Sequence, residues 1–141
     1  MGTGPSLRVI DPAAYVSERQ GRPYTDTEHC WWLVREAQRD LFGRDVPAVL
    51  IEGALNARAL VQAFHGHAER RNWRQTAQPE HGAIVLMHKP GAHARAIHAG
   101  IYLALDGGGV FHTDTDHGVT FDGLFELSVR NWRAEFYVPL P

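Results

Sequence analysis

The sequence contains one cysteine, Cys30, in 141 residues, so no internal disulfide can form. It also lacks a long apolar run: no stretch approaches the roughly 18 residues that a transmembrane helix needs, and no basic segment followed by an apolar core marks a signal peptide. Neither sign of charge dominates, since 14 Lys and Arg oppose 16 Asp and Glu for a net charge of −2. We therefore expect synthesis in the cytoplasm without a signal peptide, and no nucleic-acid or membrane partner.

The length suits one domain with one hydrophobic core. The first residues are rich in proline and glycine, which predicts an extended N-terminal lead-in over residues 1–20 with one short turn over Pro12 to Arg19. Residues 21–141 are expected to form the domain itself. We find no internal repeat, and the only low-complexity feature is the glycine run 107–109.

A helix is predicted to begin near Cys30. Its apolar or small residues recur at the spacing of one helical face: Cys30, Leu33, Val34, Ala37 and Leu41. Asp26 and Thr27 precede it where an N-cap belongs, and Gly43 is a typical C-terminal stop. The pattern places the thiol on the buried face, in the first turn.

Two interpretations of Cys30 follow from that position. The unpaired N–H groups and the positive end of the helix dipole favour thiolate over thiol, as a nucleophile requires. A lone cysteine is nevertheless more often an inert core residue, because cysteine is among the most frequently buried residue types. Position by itself leaves both open.

The rest of the chain is predicted to contain one more helix and then strands. Helical spacing recurs over residues 56–71, and the polar stretch 73–82 is interpreted as a connector. Five short apolar runs follow, at 83–88, 97–105, 110–113, 119–122 and 133–138. Helices first and consecutive strands afterwards favour an α+β fold with N-terminal helices packed on a C-terminal antiparallel β-sheet of about five strands.

Among nine histidines, His98 and His112 are the best partners for Cys30. A thiol nucleophile needs a base to accept its proton and a third group to orient that base. His98 lies off the apolar face of its strand, and His112 follows 14 residues later across the glycine run 107–109, so an even separation permits both side chains on one face of a hairpin. A reversal centred near Leu105 and Asp106 would make them cross-strand neighbours. Either histidine taken singly is more often a structural strand residue.

A metal site is not predicted. His65 and His67 lie two residues apart near a helix end, and His81, His88 and His93 form a loose group, but no Cys pair or His-Glu-x-x-His motif accompanies them. No cofactor is expected. Trp31 and Trp32 are open to two uses, lining a substrate cleft or packing beneath the lead-in, and packing is the commoner.

Two blocks of the sequence resemble the NlpC/P60 cysteine peptidases, and within them the short phage-tail members. The family's nucleophile motif is matched by His29-Cys30-Trp31-Trp32-Leu33-Val34-Arg35. Its His-x-Gly-Ile-Tyr block is matched by His98-Ala99-Gly100-Ile101-Tyr102, after a strand matched by residues 82–87, and the family's next polar strand end is matched by 110–113. The last family strand is matched within 132–139, so the resemblance covers about residues 21–139.

The resemblance implies a papain-like core with Cys30 as nucleophile, His98 as base and His112 as the orienting group. It also implies cleavage of bacterial peptidoglycan stem peptides, typically at the bond between γ-D-glutamate and diaminopimelate. Tyr24 is similar to a family tyrosine beside the nucleophile, and Trp31 and Tyr102 are the other candidate substrate contacts. Other phage tail proteins would be partners, and the virion tail, acting at the cell wall, would be the location.

Three positions depart from the family pattern and support alternative hypotheses. His29 stands where the family has Asp, Trp32 where it has Gly, and Ala83 where it has Asp. One alternative is a structural tail component that keeps the fold without the chemistry. The other is a relative that uses the thiol for acyl transfer or as an antibacterial toxin.

Overall fold

The computed structural model describes residues 10–48, 68–90 and 98–141. Its helices are α1 (Pro12–Arg19), α2 (Cys30–Phe42) and α3 (Leu124–Val129), with a 3₁₀ helix at Ala68–Asn72. Its strands are β1 (Trp73–Thr76), β2 (Ile84–His88), β3 (His98–Leu103), β4 (Gly109–Asp114), β5 (Gly118–Gly123) and β6 (Arg133–Pro139).

The strands form one antiparallel six-stranded sheet in the order β1-β6-β2-β3-β4-β5. This confirms the α+β class with an antiparallel sheet. Five of the strands correspond to the five predicted apolar runs, with ends that differ by a few residues. Strands β2, β3 and β4 each pair with the next strand in chain order, so β3 and β4, which carry the candidate histidines, both have a strand on either side.

The first strand corrects the interpretation of residues 73–82 as a connector. All four residues of β1 pair with β6 at the sheet edge. Trp73 is buried, whereas Arg74 and Gln75 are exposed. An edge strand with one large buried side chain among polar residues does not show the apolar alternation from which strands are predicted.

The two faces of the sheet have different cores. The face covered by α1 and α2 includes Ile84, Leu86, Ala99 and Ile101 together with Cys30. The opposite face is built around Val85, Met87, Tyr102, Val110, Leu127, Phe136 and Val138. The alternation within β3 therefore directs Ala99 toward α2 and His98 toward the other face, as its sequence pattern predicted.

The lead-in is more helical than predicted. Instead of a short turn, Pro12–Arg19 forms two turns of α-helix, because Asp11 caps it through a bond from the Ala13 N–H and proline suits the first helical position. The chain then runs along the outer edge of β5, where the Gly21 N–H donates to the Val119 carbonyl and the Val119 N–H donates to the Arg22 carbonyl. Residues 1–9 lie outside the described part of the chain.

The helix predicted around Cys30 is present as α2. Cys30, Leu33, Val34 and Ala37 are buried, and Gly43 ends the helix in the left-handed conformation with φ 64°. The predicted N-cap is wrong: His29, and not Asp26 or Thr27, caps the helix, with its Nδ1 accepting from the Trp32 N–H at 3.1 Å. A neutral imidazole supplies the acceptor that Asp or Thr more often provides.

Two further differences concern helices. The helix predicted over residues 56–71 falls almost entirely outside the described residues, and only its end is seen, as part of the 3₁₀ helix. Helix α3 was not predicted, and it interrupts the run of strands between β5 and β6. It is only 6 residues long, which is too short for helical periodicity to identify.

Candidate active site

Cys30 is the first residue of α2 and is fully buried. Its neighbours include the start of β3, because the backbone N–H of Ala99 acts on the thiol along with the N–H groups of Trp31 and Cys30 itself. These donors come from the first helical turn, whose N–H groups have no partner within the helix, and from the strand that α2 packs against. The sulfur therefore lies against the backbone of Ala99, the residue that follows His98 in β3.

The thiol does not have the lowered pKa that a helix start by itself would favour. Burial raises the pKa of Cys30 to about 12, although the three backbone N–H groups act to lower it. Removing a thiolate from water costs more free energy than a few backbone N–H dipoles restore, unless a cation lies beside the sulfur. In this structure Cys30 is a neutral thiol at neutral pH.

His98 and His112 form a direct hydrogen bond inside the protein. His98 Nε2 lies 2.9 Å from His112 Nδ1. His98 is 4% exposed to solvent and His112 is 0% exposed. The predicted register was off by two residues: Gly100, and not His98, is opposite His112. The two imidazoles are diagonal neighbours on one face, and glycine opposite His112 leaves room between them.

The close approach depends on Gly100. A Cβ at this position would lie 2.8 Å from the Phe111 carbonyl oxygen and 2.9 Å from the Cβ of His112. Its φ is not positive, so space, and not backbone conformation, is what this glycine provides.

The next residue in the network was not predicted from the sequence. Asp122, at the end of β5, has Oδ2 at 2.7 Å from His112 Nε2. The hydrogen bond from His112 lowers the pKa of this carboxyl despite its partial burial, and the positive charge of Arg130 acts in the same direction. An available signal was the even spacing of Asp122 from His112 across a hairpin, which permits a common face.

Two more residues complete the network. Arg130 donates from Nη1 to Asp122 Oδ2 at 2.9 Å and from Nη2 to Asp114 Oδ2 at 3.0 Å. Burial tends to raise the pKa of Asp114, but the His117 backbone N–H and the Arg130 guanidinium lower it overall. Arg130 follows α3, an element that was not predicted, so nothing in the sequence pattern indicated this pairing.

His98 is enclosed by an aromatic ring and lies within the field of two cationic side chains, Arg130 and Lys89. Trp132 stacks on it with ring centroids 5.3 Å apart and an interplanar angle of 30°, and the Lys89 ammonium lies 4.6 Å from the Trp132 ring centroid. Burial is the largest cause that lowers the pKa of His98 to about 3, and a second proton on His112 would act in the same direction. Asp114 acts to raise it, while Arg130 and Lys89 lower it further. His98 is therefore a neutral imidazole.

Cys30, the candidate nucleophile, borders the strand that carries His98, the candidate base, but the two side chains are not hydrogen bonded to one another. Within residues 10–48, 68–90 and 98–141, His98 bonds to His112, and no bond joins its ring to the Cys30 sulfur. The connection runs through the backbone, since Ala99 borders the thiol and His98 precedes it. Transfer of a proton from the Cys30 sulfur to the His98 imidazole requires a hydrogen bond between them, so the two groups must move together before the reaction.

The three candidate substrate contacts have different surroundings. Tyr24 is partly exposed, and burial followed by the charge of Cys30 raises its pKa to about 12, so it lies near the thiol. Trp31 is fully buried and its Nε1 donates to the Pro47 carbonyl, which gives it the packing role and no surface for substrate. Tyr102 lies four residues along β3 from His98 and packs against Phe136, away from Cys30. Of the three, only Tyr24 combines a partly exposed side chain with a position near the candidate nucleophile.

No group of three or more His, Cys, Asp or Glu side chains suited to a metal ion occurs among the described residues. His65, His67 and His93 lie outside them. His81, which is described, has its Nδ1 accepting from the Ala104 N–H at 3.0 Å.

Comparison with models of known protein families and with curated protein sequences finds no match to this chain. In the part of the chain that is described, no helix is long and apolar enough to cross a membrane.

Proposed function

We propose that the protein is a cysteine peptidase of the NlpC/P60 type with a papain-like core, which cleaves peptidoglycan stem peptides at the γ-D-glutamyl-diaminopimelate bond. The observation that carries the proposal is the buried His98–His112 bond at the strand that borders Cys30. A base oriented by a second polar group, next to a thiol at a helix start, is the arrangement that thiol hydrolysis needs. Association with a phage or prophage tail is part of the proposal and is supported by the sequence resemblance.

The ionisation states select a particular first step. Because the pKa of Cys30 is raised and that of His98 is lowered, the pair starts as thiol and imidazole and not as an ion pair. Sulfur attacks the carbonyl carbon of the scissile bond while its proton passes to His98. Backbone N–H groups at the start of α2, that of Cys30 among them, stabilise the oxyanion.

The following steps return the enzyme to its starting state. His98 gives its proton to the leaving amine, the carbon–nitrogen bond breaks, and a thioester to Cys30 remains. Water, deprotonated by His98, attacks this thioester and releases the carboxylate product, and the proton returns to sulfur. Tyr24, which is partly exposed and lies near the thiol, would contact the substrate.

One observation favours a second candidate, a structural tail component without activity. Cys30 is fully buried as a neutral thiol, and it makes no bond with His98 in this structure. Under the peptidase proposal, substrate must open access to the sulfur. Under the structural alternative, the thiol is a core side chain and never reacts.

Purified sacculi and a soluble stem peptide that contains the γ-D-glutamyl-diaminopimelate bond distinguish the two candidates. The peptidase proposal expects new amino groups and the two product masses with wild-type protein, and loss of both with Cys30→Ala. Arg74→Gln is the matched control, because Arg74 is exposed on β1 at the sheet edge far from β4 and β5, and it should retain activity. Wild-type turnover by Cys30→Ala contradicts the assignment of the nucleophile, and absence of turnover by folded wild-type protein on both substrates favours the structural alternative.

A further inference from the structure

The peptidase proposal uses only part of a chain of hydrogen bonds that is buried at its two histidines and partly exposed at Arg130. It runs from His98 Nε2 to His112 Nδ1, from His112 Nε2 to Asp122 Oδ2, and from that oxygen to Arg130. Asp114 holds the other nitrogen of the Arg130 guanidinium. The first two contacts place three titratable groups in a row, so the protonation of each determines that of the next.

The proton positions follow from which atoms can donate. Asp122 is ionised at neutral pH and can only accept, so His112 Nε2 carries a proton. If His112 is neutral, its Nδ1 is an acceptor, and His98 must then donate from Nε2 across the 2.9 Å contact. The lone pair of His98 is then on Nδ1, the only ring nitrogen left to accept a proton from a thiol.

This arrangement fails if His112 gains a second proton. Its Nδ1 would then donate to His98 Nε2, and the proton of a neutral His98 would move to Nδ1, which blocks the base. A carboxylate beside an imidazole favours such an imidazolium. Asp122 taken by itself would therefore work against the tautomer that catalysis requires.

Arg130 opposes this effect from the same atom. Its Nη1 shares Asp122 Oδ2 with His112, so a positive charge offsets the carboxylate at the point where the imidazole meets it. We propose that Arg130 is a positioning residue that keeps His112 neutral and so leaves Nδ1 of His98 as the proton-accepting atom. Its catalytic consequence rests on the proposed function, but the proton positions themselves do not.

The second carboxylate, Asp114, explains why residue 130 is an arginine. The guanidinium spans two carboxylates with two separate N–H groups, at 2.9 Å to Asp122 and 3.0 Å to Asp114, and a lysine ammonium cannot match that planar fork. The charged and titratable groups that act on His98 are His112, Asp114, Arg130 and Lys89. Of these, His112 and Arg130 are both bonded to Asp122, and Arg130 is the one that is always a cation.

The direct test measures imidazole ¹⁵N shifts and long-range ¹⁵N–¹H couplings in labelled protein at pH 7, without substrate. The expected wild-type result is two neutral rings, each protonated on Nε2. Arg130→Gln should convert His112 to imidazolium and move the His98 proton to Nδ1, while Arg130→Lys should keep the wild-type pattern in most molecules. Arg74→Gln removes the same charge from an exposed site and should change nothing.

Either of two results overturns the inference: an imidazolium at His112 in wild-type protein at pH 7, or a wild-type pattern in folded Arg130→Gln. If Arg130→Gln does not fold, the wild-type spectrum still decides, since neutral His112 supports the inference and imidazolium refutes it. In the peptidase assay, the acid limb of kcat/KM in Arg130→Gln should move to higher pH by about one unit, with partial restoration by Arg130→Lys. Absence of any wild-type activity would refute the proposed function while leaving the spectroscopic result to decide the role of Arg130.

Discussion

Raising the pH should destabilise the folded protein through Cys30. The thiol is fully buried and its pKa is raised to about 12, so it stays protonated in the folded state while the same thiol ionises in the unfolded chain. A group whose pKa is higher in the folded state contributes stability below its unfolded pKa and loses it as the pH rises toward the folded value. The loss therefore begins near pH 8.5, the ordinary range of a cysteine thiol, and continues toward pH 12.

The size of the effect follows from the two ionisation ranges. At pH 9.5 an ordinary thiol, of pKa about 8.5 to 9, is mostly ionised in the unfolded chain, which lowers the free energy of unfolding by about 1 kcal/mol. At pH 7 the same contribution is close to zero. Cys30→Ala lacks the group and carries only a loss of packing, which does not depend on pH.

The assay is urea denaturation of wild-type protein and Cys30→Ala at pH 7 and pH 9.5. The stability advantage of wild-type protein over the variant should shrink by about 1 kcal/mol between the two conditions. Burial also raises the pKa values of Tyr15, Tyr24 and Tyr137, but these residues are present in both proteins and largely cancel in the difference. A difference that does not change with pH would show that the thiol ionises as easily in the folded state as in the unfolded one, and the reasoning would fail.

Two further predictions concern the histidine pair. In the peptidase assay His98→Ala should lose as much activity as Cys30→Ala, since nucleophile and base act as a unit. His112→Asn should lose less activity than His112→Ala, because an amide still accepts from His98 Nε2. Wild-type rates from His112→Ala would exclude an orienting role. Gly100→Ala should cost about 1–3 kcal/mol in urea denaturation and reduce activity, because its Cβ would press on the Phe111 carbonyl and on His112. Unchanged stability and activity would mean that β3 and β4 separate at little cost.

Local sequence pattern determined the elements that carry the candidate site. The spacing of Cys30, Leu33, Val34 and Ala37 identifies α2 and its buried face, and Gly43 marks its end, because helical periodicity and left-handed backbone are properties of neighbouring residues. Alternation within β3 similarly predicted that His98 lies on the face opposite the apolar one. The even spacing between His98 and His112 predicted that both lie on that face, whatever the exact register of the two strands.

The tertiary structure decided which residues meet and how they ionise. The register of β3 with β4 differs by two residues from the prediction, a difference that parity cannot detect, and only the fold brings Asp122 and Arg130 to His112. The sequence left the ionisation of Cys30 open, because a helix start favours thiolate, whereas desolvation, which raises the pKa of this thiol, depends on everything that α2 and β3 enclose together. Burial is a sum over neighbours that are distant in sequence, and for this reason the sequence by itself indicated the candidate groups but not their charge states.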